Sequence, residues 1–137
     1  MQRNIDYNIY RRPVEPPTSQ LLNACVRYAA VAQVYLQRRK IWLTVEILHR
    51  MRGILMQIYT RTRGGERAYQ TFEAEADVAL QTRLGTTLPQ YDPSSLRHSL
   101  EGLLDIMQND LEYLASGQIR LTSAHESILN QVRKRLG

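Results

Sequence analysis

The stretch "SSLRHSLEGLLDIMQNDLEYL", residues 94–114, decides the fold class of this chain. Leu96, Leu100, Leu103, Leu104, Met107, Leu111 and Leu114 recur at steps of three and four, the spacing that places side chains on one face of an α-helix. Glu101, Asp105, Asp110 and Glu112 fall on the face left for water, with Glu101 and Asp105 one turn apart. Ser94 or Ser95 is placed to cap the start, and Ser116-Gly117 to end the segment. So continuous an apolar stripe must be covered by the rest of the chain.

The other segments have the same period. On the N-terminal side, "SQLLNACVRYAAVAQVYLQRR" sets Leu21, Cys25, Tyr28, Ala32 and Tyr35 on one face, flanked by Leu22, Val26 and Ala29, with Thr18 or Ser19 as the expected N-cap. After the "RRK" junction a second helix is expected. Its stripe is Ile47, Leu48, Met51, Ile54, Leu55 and Ile58, its opposite side Glu46, His49, Arg50, Gly53 and Gln57, and its end Gly64-Gly65. "GERAYQTFEAEADVALQTRLG" is rich in helix formers and reads as a third helix with Tyr69, Phe72, Ala76, Leu80 and Leu84 inward. Thr86 to Pro93 then forms a loop. The final segment, "TSAHESILNQVRKRL", opens with Ser123 and Glu126 at capping-box spacing. No stretch alternates with period two long enough for a strand. The expectation is an all-α, antiparallel bundle of about five helices spanning 18–137 as one domain, preceded by an extended arm, 1–17, in which Pro13, Pro16 and Pro17 disfavour helix.

With 137 residues, 43% of them apolar and 23% charged, the chain can bury a core without disulfides or metal. The sequence has no apolar run long enough for a membrane span, and "MQRNIDYNIYRRPVEPP" has no secretory h-region, so a cytoplasmic protein is expected. The lone Cys25 sits within an apolar pattern and reads as a small core residue. The net charge of +5 is unevenly spread: residues 1–63 carry 11 Lys/Arg against 3 Asp/Glu, and residues 64–137 carry 7 against 10. Sixteen of the 18 basic residues are arginine, whose planar fork suits phosphates and carboxylates, so an anionic partner is expected.

No glycine loop has phosphate-cradling spacing, because "TRGGERAY" matches neither GxxxxGK[ST] nor GxGxxG. His49, His98 and His125 lack ligands at metal spacing, so neither a metal nor a cofactor is expected. The binding candidates are Trp42, His49, Arg50, Arg61, Arg63 and Arg67, a run that adds an aromatic ring and hydrogen-bonding groups to the positive field. Trp42 itself is expected to pack rather than to offer a platform.

Two resemblances extend this reading. "RLTSAH", Arg120 to His125, resembles the RxxxxH motif of HEPN-domain ribonucleases, whose arginine and histidine cleave RNA without metal at a dimer interface, although Leu121 stands where that family usually has a polar residue. The resemblance implies Arg120 and His125 as a catalytic pair. Over roughly residues 14–115 the chain looks like the helical C-terminal domain of aminoglycoside- and lincosamide-type nucleotidyltransferases. The similarity is carried by Ile47-Leu48-His49-Arg50-Met51-Arg52 and by the "TLPQYDPSSL" loop, Thr87 to Leu96. In those enzymes an α/β domain supplies a Gly-Ser motif and metal-binding aspartates, and the helical domain helps to bind the substrate. This sequence has neither the motif nor the α/β part. The implied function is a non-catalytic helical binding or assembly module, with a homodimer or a nucleotidyltransferase-like subunit as protein partner and a nucleotide or RNA as ligand. The alternatives are a HEPN-like ribonuclease and a basic nucleic-acid-binding protein.

Overall fold

A computed structural model describes residues 17–137, and most of the expected arm lies outside the described residues. The fold is an all-α helical bundle, with seven helices and no strand among the described residues. They are α1 (Thr18–Gln37), α2 (Ile41–Arg61), α3 (Ala68–Glu75), α4 (Val78–Gly85), α5 (Pro93–Asn109), α6 (Leu111–Leu114) and α7 (Ser123–Leu136).

Four long helices make the body. α1 packs on α2 and α7, and α5 on α1, α2 and α7. Asn23 meets His125 at the starts of α1 and α7, while Gln33 and Leu36 share a depression with Arg135 and Leu136 near their ends, so these two helices run the same way. α5 opposes α7, since Arg97 reaches Gly137 and Asp105 pairs with Arg133. α2 runs alongside α5, with Arg52 near the start of α5 and Arg63 at Leu114. This parallel pair departs from the expected alternation because α3 and α4 carry the chain back along α2 before α5 begins. The expected stripe of α5 is buried in full through Leu96, Leu100, Leu103, Leu104 and Met107, and it meets Leu22, Leu48, Met51, Leu55 and Ile58 in one core.

The difference from five helices has local causes. The third segment breaks at Ala76-Asp77, where the Asp77 carboxylate accepts the Leu80 N–H at 2.7 Å and so starts a new helix. Gln81 turns back and donates to the Phe72, Glu73 and Ala76 carbonyls, satisfying the end of α3. The fourth segment splits at Asp110, which Arg83 grips through two hydrogen bonds of 2.9 and 3.0 Å.

Several caps differ from expectation. Pro17 occupies the N-cap of α1 with no side-chain bond, so neither Thr18 nor Ser19 caps it. Asp92 caps α5, with Pro93 in its first turn, in place of Ser94 or Ser95. The box that opens α7 is Thr122 with His125, one residue earlier than Ser123 with Glu126. At the "RRK" junction Arg39 takes φ 56°, and the Lys40 N–H reaches the Tyr35 carbonyl at 2.9 Å, which closes α1 and reverses the chain. α2 ends at Arg61, and the turn that closes it runs through the predicted glycines: the Gly64 (φ 80°) and Gly65 N–H groups donate to the Arg61 and Thr60 carbonyls.

A candidate binding groove floored by Arg52

α2 enters the core on its expected stripe, and one charged residue goes in with it. Arg52 is only 6% exposed. Its Nη1 donates to the Thr87 carbonyl at 2.8 Å, and the same oxygen accepts a short hydrogen bond from the Ser99 hydroxyl. Thr87 is itself held by a 2.6 Å bond from its hydroxyl to the Leu84 carbonyl. The loop is thus nailed to α2 and α5 from both sides. Among the described residues no carboxylate pairs with Arg52, and burial pulls its pKa below the usual guanidinium value.

Arg52 lines a groove of about 260 Å³ between α2, α3, α4 and the α4–α5 loop. Met56, Phe72, Leu84 and Leu88 give it apolar walls, and His49, Tyr69, Glu73 and Gln81 bring polar groups to its lining. Gly53, expected on the wet side of α2, is buried. A Cβ placed there would lie 3.2 Å from the Tyr69 hydroxyl, so the missing side chain is what lets Tyr69 approach α2 beside Arg52. Tyr69, expected inward, is instead about half exposed at this edge. A largely apolar cleft lined by a buried cation, with the Glu73 carboxylate elsewhere in its lining and no carboxylate paired with Arg52 among the described residues, is suited to an apolar body that brings an anionic group to Arg52.

The expected binding residues disperse. His49 lines the groove and Trp42 lies two turns before it on α2, about 10 Å along the axis. Trp42 does not pack into the core: it is 71% exposed and stands against Tyr91 with ring centroids 5.0 Å apart. Arg50 is exposed and bridged to Glu46 at 3.2 Å, and hydrogen bonds to Tyr28 and Glu46 push its pKa up. Arg61 is half-buried and engaged, and Arg67 is exposed at the N-cap of α3. Arg63 is committed to structure. Its guanidinium lies 3.6 Å over the Tyr59 ring and donates to the Leu114 and Tyr113 carbonyls, each at 2.8 Å. The basic end of α2 is therefore in large part a clasp on the end of α6.

The two residues of "RLTSAH" are used differently from one another. Arg120 lines a polar depression with Gln108, Glu112 and Glu126. His125 Nδ1 accepts the Thr122 N–H at 3.0 Å, and its Nε2 lies 2.5 Å from Asn23 Oδ1, so both ring nitrogens fasten α7 to its own cap and to α1. The acidic residues of α5 and α6 are largely paired: Glu101 with Arg97 and His98, Asp105 with Arg133, Asp110 with Arg83. No group of three metal-ligating side chains occurs among the described residues. Nor is any helix among them long and apolar enough to cross a membrane.

Arg52 was legible as part of the "ILHRMR" text but not as a site residue, because its place at the edge of an apolar stripe looks like the ordinary boundary of an amphipathic helix. Only its partner, 35 positions away, shows that it is buried. Comparison of the chain with protein-family models, with curated proteins and with solved structures returns no match.

Proposed function

We propose that this chain is a cytoplasmic, non-catalytic helical binding module whose ligand face is the groove floored by Arg52. In this reading it serves as the substrate- or partner-binding helical part of a nucleotidyltransferase-like system. One observation carries the proposal: a buried guanidinium with no carboxylate partner among the described residues lines an apolar groove. The two stretches that resemble the helical domain of that family, around Ile47–Arg52 and Thr87–Leu96, meet at this point through the Arg52–Thr87 hydrogen bond. That meeting supports the resemblance, because it brings the two stretches that carry it to one place in the fold. The ribonuclease reading needs an imidazole able to exchange protons with RNA, and the double engagement of His125 favours the binding reading over it.

The test is native mass spectrometry of the tagged chain isolated from its own host at low salt, beside an Arg52→Met variant. The expected result is an anionic small molecule, or a protein bearing a nucleotidyltransferase core, that accompanies the wild type and is lost from the variant. Identical spectra for the two chains would overturn the assignment of the groove.

A further inference from the structure

A second surface lies at the other end of α2 from the Arg63 clasp. The turn between α1 and α2 exposes Arg38, Arg39 and Lys40, and none of the three has a carboxylate partner among the described residues. The end of α7 arrives at the same end of the bundle: Arg135 lines a depression of about 230 Å³ together with Gln33, Leu36, Gln37, Pro93 and Arg97. Lys134 is exposed beside Arg135. Arg38, Arg39, Lys40, Lys134 and Arg135, five cations without a carboxylate partner among the described residues, thus lie at the end where α1, α2, α5 and α7 converge, with Arg97 bridged to Glu101 among them. Of the carboxylates near this end, Glu101 is bridged to Arg97 and His98 and Glu46 to Arg50, while Asp92, the α5 cap, keeps its negative charge and offsets one of the five. Helix dipoles do not account for the excess. The ends of α1 and α7 carry about half a negative charge each, and the starts of α2 and α5 at this same end offset them.

The aromatic pair stands at this same end of the bundle, Trp42 in the first turn of α2 and Tyr91 just before α5. Trp42 follows Lys40 by two residues, and Tyr91 precedes Pro93, a wall of the basic depression, by two. The rings are 71% and 62% exposed and tilted against each other at 44°. Two large rings left in water cost apolar burial, and a ring beside several unpaired cations offers a base a face to stack on while its phosphates meet the charge.

We infer that this end of the bundle binds single-stranded nucleic acid, with bases stacking on Trp42 and Tyr91 and the phosphate backbone crossing Arg38, Lys40 and Arg135. The surface is separate from the Arg52 groove, and its assignment does not depend on the ligand of that groove. Stacking selects single strands, because bases in a duplex are already stacked and turned away from protein rings. Stacking on ring faces and charge against phosphates carry no sequence information, so the binding tolerates sequence.

Trp42 is the only tryptophan of the chain, so its fluorescence reports the contact directly. The full chain is titrated with short oligo-uridylate and oligo-deoxythymidylate, with a duplex of equal length, and with anionic phospholipid vesicles. Quenching of Trp42 by both single strands is expected, with clearly weaker binding of the duplex. Trp42→Ala with Tyr91→Ala, followed by anisotropy of a labelled strand, should weaken binding at least about fivefold. Arg38→Gln with Arg135→Gln should make the slope of log K against log salt shallower by about 1.4, the share of two phosphate contacts. All four positions are at the surface, and circular dichroism checks that the variants fold. The groove is read separately, by the companion of the isolated chain, so failure here and failure of the groove are distinguishable. Unquenched fluorescence at saturation, equal affinity for the duplex, or variants that bind like the wild type would each overturn the proposal. Vesicle binding lost in the same variants, without single-strand binding, would overturn it in favour of a lipid surface.

Discussion

Arg52 reaches across the interior to the main-chain carbonyl of Thr87, 2.8 Å away, and so ties the middle of α2 to the loop that launches α5. The interaction is charge-assisted on one side only, since its acceptor is a neutral carbonyl. A buried cation held this way is tolerated by the fold without being neutralised, which is the electrostatic condition for taking up an anion.

Replacing Arg52 should therefore separate binding from folding. In Arg52→Met the Thr87 carbonyl keeps the Ser99 hydroxyl as donor, and a buried charge is removed. The expected change in stability is within about 1.5 kcal/mol, read from urea unfolding, because one hydrogen bond is lost and one desolvation cost disappears. Loss of the companion ligand with an unfolding midpoint close to wild type is the predicted pairing.

Arg63 should behave in the opposite way. Its two 2.8 Å bonds to Leu114 and Tyr113 and its stacking on Tyr59 hold α6 to the end of α2. Arg63→Gln is expected to cost about 1.5–3 kcal/mol. Arg63→Lys should recover little, because an ammonium cannot form the fork and stack together. Arg67→Gln, at an exposed cap position without a side-chain bond, should stay within about 0.5 kcal/mol. Chemical denaturation of the three variants gives the comparison.

For His125 a structural role and a catalytic one predict different data. His125→Ala removes the acceptor for the Thr122 N–H and the contact with Asn23, so stability should fall by about 1–2 kcal/mol. If the residue is structural, incubation of the wild-type chain with labelled RNA in a chelating buffer shows no cleavage for the substitution to abolish. Cleavage that disappears in His125→Ala and Arg120→Ala, with folding intact, would restore the ribonuclease reading.

Burial pushes the Cys25 thiol up to about 12 from its ordinary value of 9.0, and burial likewise raises Tyr59. The native thiol stays protonated where the unfolded one would ionise, so its contribution to stability is fully present below about pH 9 and is lost as pH rises toward 12. Unfolding free energy should fall across that window by up to about 1.4 kcal/mol per pH unit from this group. Cys25→Ser, refolded and compared between pH 8 and 11, should show the shallower decline. A thiol reagent at neutral pH should label the native chain only through opening of the core.

Breaking α3 from α4 is the work of Asp77. Without the carboxylate the Leu80 N–H has no acceptor at the helix start, so Asp77→Ala should cost about 1 kcal/mol. Amide exchange should rise first in α3 and α4, which also form one side of the Arg52 groove.

How far the sequence can be read follows from the range of the forces involved. The leucines of α5, the apolar face of α1 and the stop at Gly64 are local signals, and all were legible because helical periodicity needs only a window of a few turns. Local chemistry of equal strength still misled where two residues competed. Asp92 outbids Ser94 and Ser95 for the cap of α5, and Thr122 with His125 displaces Ser123 with Glu126. Of the candidate residues, Trp42 and His49 were found by their chemical type, but the role of each came from its surroundings: Trp42 lies in water against Tyr91, and His49 lines the groove.

By itself, then, the sequence determined an all-α chain, the faces its helices bury, and the basic character of its first half, because periodicity and charge are properties of neighbours along the chain. Tertiary structure alone decided which arginines are spent and which are available. Arg63 is consumed by carbonyls 50 and 51 positions away, while Arg52 is buried against Thr87 with no acid paired to it among the described residues. An arginine's charge is written in its side chain, but its desolvation and its partners are set by whatever the fold brings against it.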